Sequence, residues 1–178
     1  MANAVARKSL EALALDDETI YVDSYFGLTG EGTWDDPLVG TITIEANKRH
    51  VFSGRVYAVN IHVTGGVPGW TIEGQGTATV FKGTTSAAPI RVGRVQDAVD
   101  AVMPTRWQLR DFRVDGAGVA DCGIDIVNAH FSQPNRNIHV NNTITYGVRT
   151  RWAVCVPWES CYVSENSGYG SCPTYGFY

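Results

Sequence analysis

Good helix formers are scarce in this chain after its first twenty residues, and no apolar run approaches the roughly 20 residues that a membrane-spanning helix needs. Charge is sparse as well. Charged residues are 18% of the total, they sum to −4, the pI is near 5.5, and no basic run exists. That balance argues against a dedicated nucleic-acid binder, and the missing apolar run against a membrane partner. The four cysteines (122, 155, 161 and 172) lack CxxC spacing, which argues against zinc. His50, His62, His130 and His139 have no metal spacing, and no compact Asp cluster offers calcium ligands. A GxSxG nucleophile motif is also missing. Neither a metal nor a cofactor is therefore expected. The N-terminus has no apolar signal-peptide core, so synthesis in a reducing cytosol with free thiols is expected. The alternative is a Cys155–Cys161 or Cys155–Cys172 disulfide. Asn141-Asn142-Thr143 fits a glycosylation acceptor.

What the chain has instead is glycine (19 residues), many β-branched residues, and 5 Trp with 8 Tyr in 178 residues. This is the composition of one all-β domain, or one domain with a small appendage. Part of the aromatic complement fills core and turns. The rest, on a solvent face, suits sugar rings or a protein interface.

The second half contains a phrase repeated three times. Phe112-Arg113-Val114-Asp115-Gly116 returns as Ile138-His139-Val140-Asn141-Asn142 and as Cys161-Tyr162-Val163-Ser164-Glu165. A second phrase follows it: Cys122-Gly123-Ile124, Tyr146-Gly147-Val148 and Tyr169-Gly170-Ser171. The valines are 26 and 23 residues apart, the glycines 24 and 23. Alternation inside each phrase has the period of a half-buried strand, and two phrases in register at one period describe a solenoid. The Leu-rich consensus of leucine-rich repeats and the 3.6-residue stripe of helical repeats are both absent. The expected fold is a right-handed parallel β-helix. In it Phe112, Ile138 and Cys161 form one inward column and Val114, Val140 and Val163 another, spaced about 4.8 Å apart. Arg113, His139 and Tyr162 stack outward, beside Asp115, Asn141 and Ser164. Gly116 and Asn142 fall where the chain must turn, and both tolerate positive φ.

Upstream, residues 2–15 read as a short amphipathic helix that Asn3 can cap. It is too short to be stable without a partner. Strands are expected over 19–23, 39–45, 51–52, 56–63, 70–73 and 78–82, with a loop over 27–37. Thr71-Ile72-Glu73-Gly74 matches Arg113-Val114-Asp115-Gly116, so the solenoid begins there or earlier. Residues 94–104 form an excursion, either a helical turn or an irregular loop. The expected divisions are a helix or neck over 1–18, cap strands over 19–66, and coils over 67–178 that end uncapped. Such an end exposes strand edges, so further coils or another chain are expected to cover it.

Three segments carry a resemblance: Tyr21-Val22-Asp23 with Gly30-Glu31-Gly32-Thr33-Trp34-Asp35-Asp36; residues 70–81, beginning Trp70-Thr71-Ile72-Glu73-Gly74; and Tyr162-Val163-Ser164-Glu165-Asn166-Ser167-Gly168-Tyr169-Gly170. Together, over about residues 20–172, they resemble bacteriophage tailspikes and tail fibres of the pectate-lyase-like parallel β-helix superfamily. In that superfamily a helix follows the Asp pair, whereas here Pro37 and a strand-like stretch follow. The resemblance implies a homotrimeric virion-tail protein, made in the host cytoplasm, that attaches to bacterial surface polysaccharide. It also implies that the N-terminal helix joins other tail or baseplate proteins. A polysaccharide depolymerase, hydrolase or lyase, is the alternative, and a free-standing bacterial β-helix lyase or epimerase a weaker one.

Glycoside hydrolysis needs two carboxyl groups several ångströms apart. Asp35 and Asp36 are adjacent and read first as turn and cap residues. Asp125, with Arg149 one coil on, belongs to the other strand phase, and Glu159 and Glu165 lie near the end. The most site-like pair is Asp115 with His139, diagonal across neighbouring strands, as candidate catalytic residues. Arg113, Asn141 and Tyr162 flank them as candidate substrate-binding residues, Arg for a carboxylate and Tyr for sugar stacking. The same strip also reads as a solvated polar face or a trimer contact.

Overall fold

The computed structural model describes residues 18–64, 66–93, 104–164 and 175–177. The expected N-terminal helix over 2–15, most of the excursion over 94–104, Cys172, Glu165 and the Tyr169-Gly170-Ser171 phrase lie outside them. The described residues form a parallel β-solenoid of about five turns, with almost no helix among them. Its strands are β1 (Glu18–Tyr21), β2 (Lys48–Val51), β3 (Val56–Tyr57), β4 (Ile61–Val63), β5 (Thr71–Glu73), β6 (Val80–Lys82) and β7 (Ile90–Gly93). They continue with β8 (Gln108–Asp115), β9 (Cys122–Val127), β10 (Asn135–Asn141), β11 (Tyr146–Arg151), β12 (Trp158–Glu159), β13 (Tyr162–Val163) and β14 (Tyr175–Phe177). One sheet runs β1-β2-β5-β8-β10-β12, with β3 and β6 joining beside β8 and β13 beside β10. The other runs β4-β7-β9-β11-β14. Residues 19–66, expected as cap strands, carry strands that already pair in parallel with the coil above them.

The repeated phrase stacks in the register its spacing predicts. Phe112 faces Ile138, Val114 faces Val140, and Val140 faces Val163. Arg113, His139 and Tyr162 form the outer column, and Asp115 is beside Asn141. Inside, Ile61, Ile90, Ile124 and Val148 line up across the second sheet. Phe81 packs edge-on against Phe52 at 4.9 Å and against Phe112 at 5.1 Å, while Trp70 and Trp107 stack at 5.6 Å. All five rings are fully buried, and burying each such side chain contributes about 1.5–3 kcal/mol. In the second phrase, glycine is required by space. A Cβ on Gly123 would come within 2.4 Å of the Val140 side chain.

Corners are made by residues in left-handed backbone. Asp111 (φ 59°), Asn137 (φ 54°) and Ser160 (φ 50°) occupy one stacked corner, where Asn137 Nδ2 donates to Asp111 Oδ1 at 2.7 Å. Asn and Asp tolerate this conformation better than most residues. Asn142 also has positive φ (58°), as expected. Gly116 does not, and is needed instead because a Cβ there would lie 2.5 Å from the Asn142 carbonyl.

Several expectations need correction. Thr71-Ile72-Glu73 does not stack on Arg113-Val114-Asp115 but on Gln108-Leu109-Arg110, while Val80-Phe81-Lys82 takes the later position. The reason is that β8 bends at Asp111 and spans two strands of the preceding coil. On β11 the neighbour is Tyr175–Phe177, with Tyr146 beside Tyr175. The expected strand over 39–45 is an irregular segment with one bridge, Val39 to Thr29. Its Ile42 and Ile44 still pack on the core. Strand 56–63 is two short strands, and residues 22–25 form a single helical turn, α1 (Val22–Tyr25).

Several inward positions are titratable, His50 among them. His50, fully buried, accepts a hydrogen bond at Nε2 from the Glu45 amide at 3.2 Å. Burial pushes its pKa below the ordinary 6.5 despite opposing backbone hydrogen bonds. The folded state therefore resists a proton that the unfolded chain takes up. Stability contributed by neutral His50 is complete above pH 6.5 and is lost as pH falls toward the depressed folded value. Urea midpoints measured across this window should fall with pH, and His50→Gln should flatten the decline. Parallel profiles for the two proteins would remove His50 as its source.

Candidate functional site

Strands β8, β10 and β13 present one outer strip. The pleat points Arg113, His139 and Tyr162 away from the core, and parallel pairing sets them one strand spacing apart. Beside them stand Asp115 and Asn141. The five candidate residues thus come together on one face, and Asp115 and His139 are diagonal neighbours.

Asp115 is almost fully buried, because the Gly116–Ala117 turn and the next coil close over it. Its Oδ1 accepts from the Ala117 amide at 2.9 Å and from Asn142 Nδ2 at 2.8 Å. Its Oδ2 accepts from Arg113 Nη2 at 3.0 Å and from Asn141 Nδ2 at 3.2 Å. Four donors on two oxygens saturate the carboxyl group and hold Arg113 and Asn141 in place. None of these donors is His139.

The His139 ring instead meets Ser164, with Nε2 2.8 Å from Oγ. Burial lowers its pKa, the charge of Arg113 lowers it further, and Asp115 opposes both. His139 is therefore a neutral imidazole at neutral pH. Tyr162, the last described member of the column, is 66% exposed. Beneath it a shallow depression of about 540 Å³ is lined by Trp158, Ser160, Cys161 and Tyr162. An aromatic wall, a neutral imidazole and an anchored guanidinium in line can hold a chain of hydroxylated rings by stacking and hydrogen bonding.

Compared with protein-family models, with curated proteins and with solved structures, the chain matches none.

The remaining carboxylates lie elsewhere. Asp36 closes the loop over 31–36, its Oδ2 accepting from the Glu31 amide at 3.1 Å and its own amide donating to Thr33 Oγ1 at 3.1 Å. It serves there as a turn residue. Asp125 and Arg149 meet as a two-point ion pair on the second sheet. Glu159 is exposed and Arg136 is its register partner. Among the described residues no group of three His, Cys, Asp or Glu side chains has metal-site geometry. Cys122, Cys155 and Cys161 are free thiols, and burial pushes Cys122 up to about 12.

Sequence reasoning passed over two features. Ser164 was visible as a column member, yet its pairing with His139 depends on side-chain rotamers that no repeat encodes. Arg91 and Arg151 join Asp125 across coils of unequal length, and only the observed register relates them.

Proposed function

We propose that this chain is the β-helical part of a phage tailspike or tail-fibre subunit, and that it attaches the virion tail to bacterial surface polysaccharide. The observation that carries this reading is the outer column Arg113–His139–Tyr162, whose last described member is an exposed tyrosine above the Trp158 depression. A ladder of this kind runs along the solenoid axis and suits a linear polymer. The saturation of Asp115 by four donors favours recognition over acid catalysis at that residue.

Binding of purified protein to host surface polysaccharide, followed by calorimetry, tests the reading. Tyr162→Ala should weaken binding about tenfold, as expected for loss of roughly 1.4 kcal/mol of stacking. Unchanged affinity would remove the column from the binding face. A homotrimer is the assembly proposed with this function, and a monomeric mass by light scattering would refute it.

A depolymerase is the second reading, and the His139–Ser164 pair favours it. A neutral base 2.8 Å from a hydroxyl has nucleophile–base geometry, although Asp115 does not touch the ring to orient it. Appearance of new reducing ends or of unsaturated-uronate absorbance, lost in Ser164→Ala, would establish that reading.

A further inference from the structure

On the second sheet, Asp125 is fully buried, yet three arginines from the coils on either side converge on it. Arg149 makes two parallel bonds, Nε to Oδ1 at 3.0 Å and Nη2 to Oδ2 at 2.9 Å. Its guanidinium also lies over the Tyr146 ring at 5.1 Å. Arg151 and Arg91 reach the carboxylate through Nη2 alone, at 3.0 and 3.3 Å from Oδ2. Among the described residues their buried Nε donors have no hydrogen-bond partner. Parallel pairing explains the arrangement. Arg91, Asp125 and Arg149 occupy one outward column, and Arg151 is two residues further along the same strand as Arg149.

Among the described residues the charges do not balance. Three guanidiniums contact a single carboxylate. Asp121 is the other carboxylate acting on Arg149, from longer range and already bonded to Thr145. If the cluster served only to neutralise Asp125, Arg149 alone would do so with both oxygens engaged. Two further arginines, each with an orphaned Nε, cost desolvation without completing their own hydrogen bonding. Arginine clusters with fixed forks and surplus charge are the usual means of holding an oxyanion, and a buried acid that braces them removes the entropy cost of assembling the site. The three side chains remain 19–29% exposed, so the site opens to solvent.

We infer that Arg91, Arg149 and Arg151, braced on Asp125, form a subsite for an oxyanion carried by the ligand, so that the polysaccharide recognised is acidic. The second clause rests on the glycan-binding reading above, whereas the anion site itself does not. The shared chemistry is a uronate carboxylate or a sulfate or phosphate ester on a sugar.

The test has two arms. In the first, the arginine Nε–H signals of the full chain are followed by NMR during titration with D-glucuronate, inorganic sulfate and inorganic phosphate. Saturable shifts at Arg91 and Arg151 are expected, reduced at least tenfold in apparent affinity by Arg151→Gln and unaffected by Tyr162→Ala. The anion giving the strongest response identifies the group. Absence of saturable shifts at these arginines overturns the site, as does an unchanged response in Arg151→Gln. Thermal denaturation of the variant establishes that it is folded. In the second arm, an acidic polysaccharide and its carboxyl-reduced form are compared. Preference for the acidic form, lost in Arg151→Gln, supports an acidic ligand, and equal binding of the two overturns it. Anion shifts without binding of any polysaccharide would leave the anion site standing and overturn the glycan reading.

Discussion

Asp125→Ala should lower the unfolding free energy by about 3 kcal/mol, toward the low end of the cost of breaking a buried ion pair. The acid is fully buried, and its removal leaves Arg91, Arg149 and Arg151 crowded together without their common counter-charge. Repulsion then adds to desolvation. The low end applies because each arginine is 19–29% exposed and recovers part of its hydration. The denaturant midpoint reports the loss. Asp125→Ala combined with Arg149→Ala should be less destabilising than the sum of the single changes, because the second removes a charge that the first left unpaired. Simple additivity would show that the cluster does not act as a unit.

Gly93→Ala is expected to cost about 2–5 kcal/mol, from roughly 1–2 for left-handed backbone and 1–3 for overpacking. Gly93 ends β7 with φ 89°, and a Cβ would sit 1.7 Å from the Val127 carbonyl oxygen on the next coil. That oxygen belongs to the β9 backbone, so the clash cannot be relieved by turning a side chain. The two coils must separate, which strains the β7–β9 ladder and the apolar columns beneath it. Gly27 provides the control. Its φ is 59° with nothing within 4 Å of the added atom, so Gly27→Ala should cost only the backbone share, about 1–2 kcal/mol. Similar losses in both variants, read from thermal midpoints, would show that coil spacing at Gly93 is not the constraint.

How much of this was legible beforehand varies along the chain. Where successive coils have nearly equal length, spacing alone predicts pairing. Val114, Val140 and Val163 stack as their intervals of 26 and 23 imply. In the earlier coils the intervals are unequal, with 37 residues from Ile72 to its partner Leu109 and 33 from Phe81 to Val114. The phrase Thr71-Ile72-Glu73-Gly74 therefore resembles the half of β8 on which it does not stack. Local pattern cannot distinguish two short strands from one bent strand when the bend is a single left-handed residue, Asp111. Residues 39–45 carry strand-like alternation and do bury Ile44, but Gly40 and the adjoining loop leave them without a ladder.

Sequence by itself determined the fold class, the stacked columns of the later coils, and the grouping of Arg113, Asp115, His139, Asn141 and Tyr162 on one face. Each follows from a two-residue strand period combined with a repeat of nearly constant length, so position along the chain converts directly into position in space. Tertiary structure alone decided what those groups do. It buried Asp115 under its own turn and saturated it, turned His139 toward Ser164, and drew Arg91, Arg149 and Arg151 around Asp125. Those outcomes depend on rotamers, on corner geometry and on contacts between coils of unequal length. Repeat spacing carries no information about any of the three.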